Sequence, residues 1–253
     1  MAKPIDLKGT ILCGGEGSRL RPLTYYFQKV MIPIGKTQKP LLEYIIKLFI
    51  KNGVNDVVLL VGYKAEQILN YFGSGKRFEA NIQYVEDNPD FGGTGGALIN
   101  AYLKDKISKD DNILLYYGDI LSNMDISSMY KNHKAAKAIA TIAITKKYQV
   151  RVGIANLDNN RVIGLKEKPL LDLPVTIGVI ILDGKVLGML ESFSKRKRNL
   201  DIMGDLIPFL IKRGESINAY FHDSFWYDIG STERYEKLDY EAVDKFLGDI
   251  ISK

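Results

Sequence analysis

The sequence predicts an α/β protein, a Rossmann-like three-layer sandwich around a mixed but mostly parallel sheet. Three observations carry that expectation. Apolar, β-branched runs alternate with helix-period segments through the first half, the pattern of a parallel sheet with helices on both faces. Two runs, residues 56–61 and 113–117, are almost continuously apolar, as expected of strands covered on both sides. Two glycine-rich loops each follow a strand and precede a helix, where open α/β sheets bind ligands. The chain of 253 residues is read as a single domain with two halves, about 8–135 and 136–230, and a closing helix at 231–253.

The elements follow in order. Thr10-Ile11-Leu12 is a short strand feeding the first glycine loop. Pro40 opens a helix whose apolar positions Leu41, Tyr44, Ile45, Leu48 and Phe49 recur at three and four, ending at Asn52-Gly53. After the strand at 56–61 comes a helix at 65–72, stopped by Gly73. A strand at 82–86, a glycine loop at 92–96, a helix at 97–103 and the strand at 113–117 complete the first half. The second half changes character. Residues 138–144, 151–156, 162–166 and 175–182 are strand-like, with Asp158-Asn159-Asn160 as the turn between the middle two. These are expected as mixed or antiparallel strands that cap the sheet and form a second wall. Helices return at about 184–192 and 201–212. An amphipathic helix from about Thr232 places Leu238, Ala242, Phe246 and Ile250 on one face.

Composition excludes several function classes. Hydrophobic residues at 46% and charged residues at 26% suit a soluble globular protein. A single cysteine, Cys13, rules out an internal disulfide and fits a reducing compartment. His133 and His222 have no metal-ligand spacing. No leader opens the sequence and no apolar run approaches a membrane span, so a cytoplasmic setting without membrane contact is expected. The net charge of +5 suits small polyanions. The only dense basic run, Lys195-Arg196-Lys197-Arg198, reads as a solvated loop, and no aromatic-basic pattern points to nucleic acid.

The chemistry concentrates in residues 13–25, Cys-Gly-Gly-Glu-Gly-Ser-Arg-Leu-Arg-Pro-Leu-Thr-Tyr. Glycines let backbone amides approach an anion closely, and Arg19 and Arg21 follow to hold its charge. The dinucleotide pattern G-x-G-x-x-G fails because its last position is Leu20, and a Walker A loop would need a glycine at Val30. What remains is G-G-x-G-[ST]-R-L-x-P-x-T with Lys29 five residues beyond Thr24. This stretch resembles the signature of the sugar-1-phosphate nucleotidylyltransferases, and the resemblance covers roughly residues 8 to 240. It implies the nucleotidyltransferase (GT-A-like) version of the fold, with 8–135 as the nucleotide-binding half and 136–230 as the sugar-phosphate-binding half.

The resemblance assigns residues as well. It implies that Arg19 and Lys29 are catalytic, and that Leu12, Gly14, Gly15 and Gly17 hold the nucleotide. A second loop, Phe91-Gly92-Gly93-Thr94-Gly95-Gly96-Ala97, is similar to the family's G-[TL]-[AG]-x-A, which makes Glu86, Gly93 and Thr94 the base-reading positions. Asp119, from Gly118-Asp119, and Asp228, from Trp226-Tyr227-Asp228-Ile229-Gly230, match the metal ligands for Mg²⁺. Glu167-Lys168-Pro169 resembles the family's E-K-P, so Glu167 and Lys168, with Gly153 and Thr176, are expected at the sugar phosphate. One departure is Lys29-Val30-Met31, where Lys-Pro-Met is usual.

The implied reaction joins a nucleoside triphosphate and a sugar 1-phosphate into a nucleotide sugar with release of pyrophosphate. It needs no activated side-chain nucleophile, which fits the absence of a Ser/His/Asp or Cys/His arrangement. Two rivals stay open on sequence alone. A glycosyltransferase that consumes nucleotide sugars would show Asp-x-Asp where this chain has Asp119-Ile120-Leu121. A non-catalytic nucleotide-sugar sensor would not need Arg19, Lys29, Asp119 and Asp228 together. A homo-oligomer is compatible with the sequence, which leaves base and sugar undetermined.

Overall fold

A computed structural model describes residues 3–150, 152–195 and 197–251. Arg151, at the head of one expected strand, and Arg196, within the basic run, lie outside the described residues. In chain order the elements begin with β1 (Lys8–Cys13), the two-residue strands β2 (Pro33–Ile34) and β3 (Lys39–Pro40), α1 (Leu41–Lys51), β4 (Asp56–Val61), α2 (Ala65–Phe72), β5 (Asn81–Glu86) and α3 (Gly93–Leu103). They continue with β6 (Asn112–Tyr117), β7 (Ile120–Ser122), α4 (Ile126–Ala136), β8 (Ala140–Gln149), β9 (Ile154–Asp158), β10 (Arg161–Lys166) and β11 (Leu170–Asp183). The last are α5 (Val186–Ser194), α6 (Ile207–Lys212), β12 (Ile217–Phe221), β13 (Trp226–Asp228), α7 (Thr232–Glu236) and α8 (Tyr240–Ile251).

Among the described residues the main sheet has seven strands in the order β12-β8-β11-β6-β1-β4-β5. β1 sits between β4 and β6, parallel to both, so the strand order reverses there and opens a crevice at the carboxyl ends. The alternation of side chains along each strand feeds two cores. Ile11, Val57 and Leu59 face α1 and α8, while Val58, Leu60 and Leu115 face α3, α5 and α6. Burying each such side chain contributes about 1.5–3 kcal/mol. Two sheet faces packed this way fix the strand ends, and hence the crevice, as a rigid frame.

Several expectations shift. The strands at 138–144 and 175–182 are longer than their apolar cores, and both join the main sheet, β11 running antiparallel to β6 and β8. Of the four strands expected in the second half, β9 and β10 stand apart as an antiparallel hairpin outside the main sheet. The helix at 97–103 begins at Gly93, so the second glycine loop forms its first turn. The helix at 201–212 opens with a π-helical turn, Ile202–Leu206. The closing helix is broken in two: Asp239 Oδ1 accepts from the amides of Glu241 and Ala242 and caps a fresh start. That restart resets the helical phase. The buried face of α8 is Val243, Leu247, Ile250 and Ile251, not the expected set containing Ala242 and Phe246. Helix α4 and strands β7 and β12 carried too little periodic signal to be expected from sequence, whereas β13 is the apolar run that ends at Asp228. Among the described residues, no helix is long and apolar enough to cross a membrane.

Candidate active site

The first glycine loop leaves β1 pinned to its neighbours. Gly118 N donates to Leu12 O at 3.1 Å, and Tyr63 N donates to Gly14 O at 3.0 Å. A Cβ at Gly14 would run into the Asp87 carboxylate, so glycine lets that carboxylate lie against the loop. Gly15 is exposed and has open space around it. Gly17 takes the left-handed conformation, φ 62°, against the stem of Lys29, and its carbonyl accepts from Thr24 Oγ1 at 3.0 Å. A 3-10 turn follows, Ser18–Leu20, anchored by buried Leu20. It leaves Arg19 exposed to solvent at the mouth of the loop. Thr232 Oγ1, at the start of α7, donates to Arg19 O (3.3 Å) and Arg21 O (3.1 Å).

Lys29 is aimed by its neighbour. Gln28 is fully buried; its Nε2 donates to Cys13 O at 2.5 Å and its Oε1 accepts from Val30 N at 2.6 Å. These bonds stand in for a proline after Lys29 by fixing the turn at Lys29–Met31. The Lys29 ammonium then reaches Asp119 Oδ2 at 2.5 Å, a pair mostly withdrawn from solvent. Asp119 directly precedes β7, which pairs antiparallel with β13 so that Asp228 lies opposite Ile120. Ile229 N donates to Asp119 O at 2.8 Å. This small ladder brings the backbones of two carboxylate residues more than a hundred positions apart side by side. Asp228 is ion-paired with Arg234, yet its Oδ1 is buried without a hydrogen-bond partner. An orphaned carboxylate oxygen on Asp228, with a second carboxylate residue one position from its ladder partner, offers hard oxygen donors of the kind a divalent cation accepts, with phosphate oxygens and water completing the shell. Among the described residues no group of three or more His, Cys, Asp or Glu side chains could hold a metal by itself.

A cavity of about 710 Å³ opens at the strand ends, lined by Leu12, Gly14, Gly15, Gly93, Thr94 and Asp119 together with Asp87, Tyr117 and Asp201. Six positions expected from sequence thus converge. Gly93 has φ +77°, and a Cβ there would strike Leu200 O, part of a strap that crosses the second loop. Thr94 Oγ1 donates to Asp201 Oδ2 at 2.9 Å and accepts from Ile202 N at 2.8 Å. Burial, and next the Asp201 carboxylate, push the Tyr117 hydroxyl up to about 12, so it stays a neutral donor. Burial, then Asp87 and Asp119, push the Cys13 thiol up, which leaves it an inert packing group.

Glu86 is placed differently from the expectation. It ends β5 with an exposed side chain outside the cavity lining, and its carbonyl accepts from Asn100 Nδ2 at 2.8 Å. The next residue, Asp87, also exposed, lies just past the strand end and does line the cavity. Gly17 and Arg19 border the loop rather than line the cavity. Asp228 and Lys168 line a second cleft of about 520 Å³ with Gln149, Trp226 and Arg234. Glu167 and Lys168 form an exposed pair at 3.9 Å where β10 leads into β11, and a Cβ on Gly153 would press on Glu167 Oε2. Thr176 is exposed on β11 opposite Ile144. Asp87, Asp201, Gln28 and Thr232 were not expected from sequence. Only Asp87, next to a position already singled out, had any local signal.

Comparison with known proteins follows this geometry. A family model described as nucleotidyl transferase matches residues 8–245. The chain belongs to the nucleotidyl transferase family. This nucleotidyl transferase is 32% identical over 240 residues to D-glycero-alpha-D-manno-heptose 1-phosphate guanylyltransferase of Aneurinibacillus thermoaerophilus, covering 93% of this chain and 98% of the relative. It is 32% identical over 244 residues to UTP–glucose-1-phosphate uridylyltransferase of Synechocystis, covering 90% of this chain but spanning only 61% of that relative's length. A solved structure from Bacillus anthracis, in complex with a sucrose, superposes with a TM-score of 0.73 at 23% identity, covering 94% of this chain and 96% of the other. At that identity the likeness establishes the fold.

Proposed function

We propose that this nucleotidyl transferase makes a nucleotide sugar and pyrophosphate from a nucleoside triphosphate and a sugar 1-phosphate. One observation carries the reading: the β7–β13 ladder sets Asp228, which lines a second cleft, beside the segment that carries the Lys29–Asp119 pair, whose carboxylate lines a cavity ringed by both glycine loops. One polyanion fits each side, with cations and carboxylates between them. The relatives' names support it, one of them matched over nearly its whole length.

The triphosphate would lie along the first loop, its phosphates against the amides of Gly14 and Gly15 and the guanidinium of Arg19, its base between Leu12, Gly93 and Thr94. Gly17 lets the loop fold back on Lys29. Lys168 would hold the sugar phosphate, with Glu167, Gly153 and Thr176 toward the sugar. A phosphate monoester has its second pKa near 6 and is mostly dianionic at neutral pH, so no protein base is needed. Its oxygen attacks the α-phosphorus, forming one P–O bond while the bond to the pyrophosphate oxygen breaks in line. Lys29 stabilises the charge that builds on the α-phosphoryl oxygens, and Gln28 holds it there. Asp119 and Asp228 would hold Mg²⁺, which when bound neutralises phosphate charge and orients both substrates. A partner beyond these small molecules, including a second copy of the chain, is not required by this reading. The test is pyrophosphate release from a matrix of triphosphates and sugar 1-phosphates. A full matrix of blanks with folded protein and Mg²⁺ refutes it.

A further inference from the structure

The side chains facing the first cavity differ sharply in how they are already employed. Asp119 holds Lys29 at 2.5 Å. Asp201 accepts from Thr94 Oγ1 at 2.9 Å and from Gly204 N at 2.6 Å. Asp87 does neither. Its amide donates to Val61 O at 2.8 Å, which fixes the backbone where β5 ends, but among the described residues no donor or cation engages its carboxylate. The same carboxylate packs over two backbones, since a Cβ on either Gly14 or Gly62 would collide with Oδ2. The residue as a whole is exposed, but partial desolvation of the carboxylate against these backbones raises its pKa, with no hydrogen bond or positive charge to offset it. The carboxylate is thus backed by two glycine backbones and open toward the cavity, and what it lacks within the protein is a pair of donors.

We propose that Asp87 is the specificity residue of the base pocket and selects guanine among the triphosphates. The inference rests on the nucleotidyl transfer reading of this cavity and adds the base to it. The argument is one of edges. A carboxylate has two oxygens and only accepts. Guanine presents two adjacent donors, N1–H and the N2 amino group, at the spacing of a carboxylate. Uracil and thymine present one N–H flanked by two carbonyl oxygens, each of which would face a carboxylate oxygen at close range. Adenine and cytosine set one amino donor beside a bare ring nitrogen. Guanine alone satisfies both oxygens without an opposed acceptor, and the glycines at 14, 92 and 93 let the base slide in flat beside them. Asn88 lines the cavity as well, but its Oδ1 is taken by Asp90 N at 3.0 Å.

The experiment compares the wild-type protein with GTP, ITP, UTP, dTTP, CTP and ATP, both by calorimetric binding and by pyrophosphate release with Mg²⁺ and a sugar 1-phosphate mixture. ITP is guanosine triphosphate without the N2 amino group, so it removes one donor and nothing else. A hydrogen bond to a charged acceptor is worth about 1.5–3 kcal/mol, so ITP is expected to bind roughly 10- to 150-fold more weakly than GTP. Asp87→Asn, whose amide can meet a carbonyl, is expected to close most of the GTP/ITP gap and to admit UTP. GTP bound and turned over best, with ITP weaker and the gap narrowed in the variant, supports the assignment. ITP equal to GTP, or a pyrimidine triphosphate preferred by the wild type, overturns the base assignment and leaves the transfer reaction standing. GTP-selective binding with no pyrophosphate from any pairing does the reverse: it supports Asp87 and sinks the reaction. No triphosphate binding at all overturns both. The GTP/ITP comparison uses unmutated protein, so it stands even if Asp87→Asn does not fold.

Discussion

Replacing Lys29 by methionine keeps the length of the side chain and removes only its charge. The ammonium lies 2.5 Å from Asp119 Oδ2, with 14% and 23% of the two side chains exposed. Two consequences can be separated. For stability, the variant leaves a partly buried carboxylate without its partner, a loss of about 1–3 kcal/mol. The remaining exposure and the freedom of Asp119 to take up a cation put the expected loss at the low end. At about 2–4 °C per kcal/mol for a chain of this size, the melting temperature should fall by about 2–5 °C. For turnover, a lost electrostatic donor at developing charge typically costs roughly 10²–10³ in rate. The assay pairs differential scanning fluorimetry with enzyme-coupled pyrophosphate release at saturating substrates. A kcat within tenfold of wild type would refute the role of Lys29. A fall in melting temperature of more than about 10 °C would show instead that the pair is chiefly structural, and that the dead enzyme is merely unfolded.

Other expectations follow from the same geometry. Asp119→Asn and Asp228→Asn should each cut pyrophosphate release at least a hundredfold, and excess chelator should do the same to the wild type until Mg²⁺ is restored; unchanged rates would remove the metal from the mechanism. Gly93→Ala should lower the melting temperature and raise the KM for the triphosphate, because φ +77° is strained for alanine and its Cβ meets Leu200 O; identical values would mean the strap yields without cost. Burial lowers the pKa of His133, so the folded state binds its proton less readily than the unfolded chain. Stability should therefore decline as pH falls from about 6.5 through the lower folded value, and His133→Gln should flatten that decline in melting curves taken between pH 7 and 5. The raised pKa of Asp87 acts in the opposite sense. Its contribution to stability is full below the unfolded carboxylate value and is lost as pH rises through the folded one, so Asp87→Asn should be relatively more stable at pH 7 than at pH 3.5.

The site was legible where chemistry is written in consecutive residues. The first loop, Lys29, and the Gly93-Thr94 turn could be read directly, because glycine runs and a following cation encode both a bend and a charge. Asp119 and Asp228 were legible as residues but not as neighbours; their adjacency depends on the β7–β13 ladder, two three-residue strands too short to leave a period-2 signal. Glu86 and Asp87 show what a pattern leaves open. Two acidic neighbours at a strand end read alike in the sequence, and only the fold shows that Asp87 lines the cavity while Glu86 does not. Gln28 was invisible for a related reason: a buried glutamine between Phe27 and Lys29 reads as ordinary loop polarity until its partners Cys13 O and Val30 N are known. In the fold, continuous apolar runs located the parallel strands well. The edge strand β12 and the restart of α8 at Asp239 are set by tertiary pairing and by one cap, and neither alters composition enough to be seen.

Thr232 ties two carbonyls of the first loop to a helix that begins more than two hundred residues later in the chain. A version shortened to end at residue 230 would keep every side chain assigned to substrates or metal, and any motif search would score it as intact. It would nevertheless have cut the tether on the backbone that carries Arg19, along with the helix that shields one face of the sheet. The first loop depends on its moorings as much as on its reactive groups.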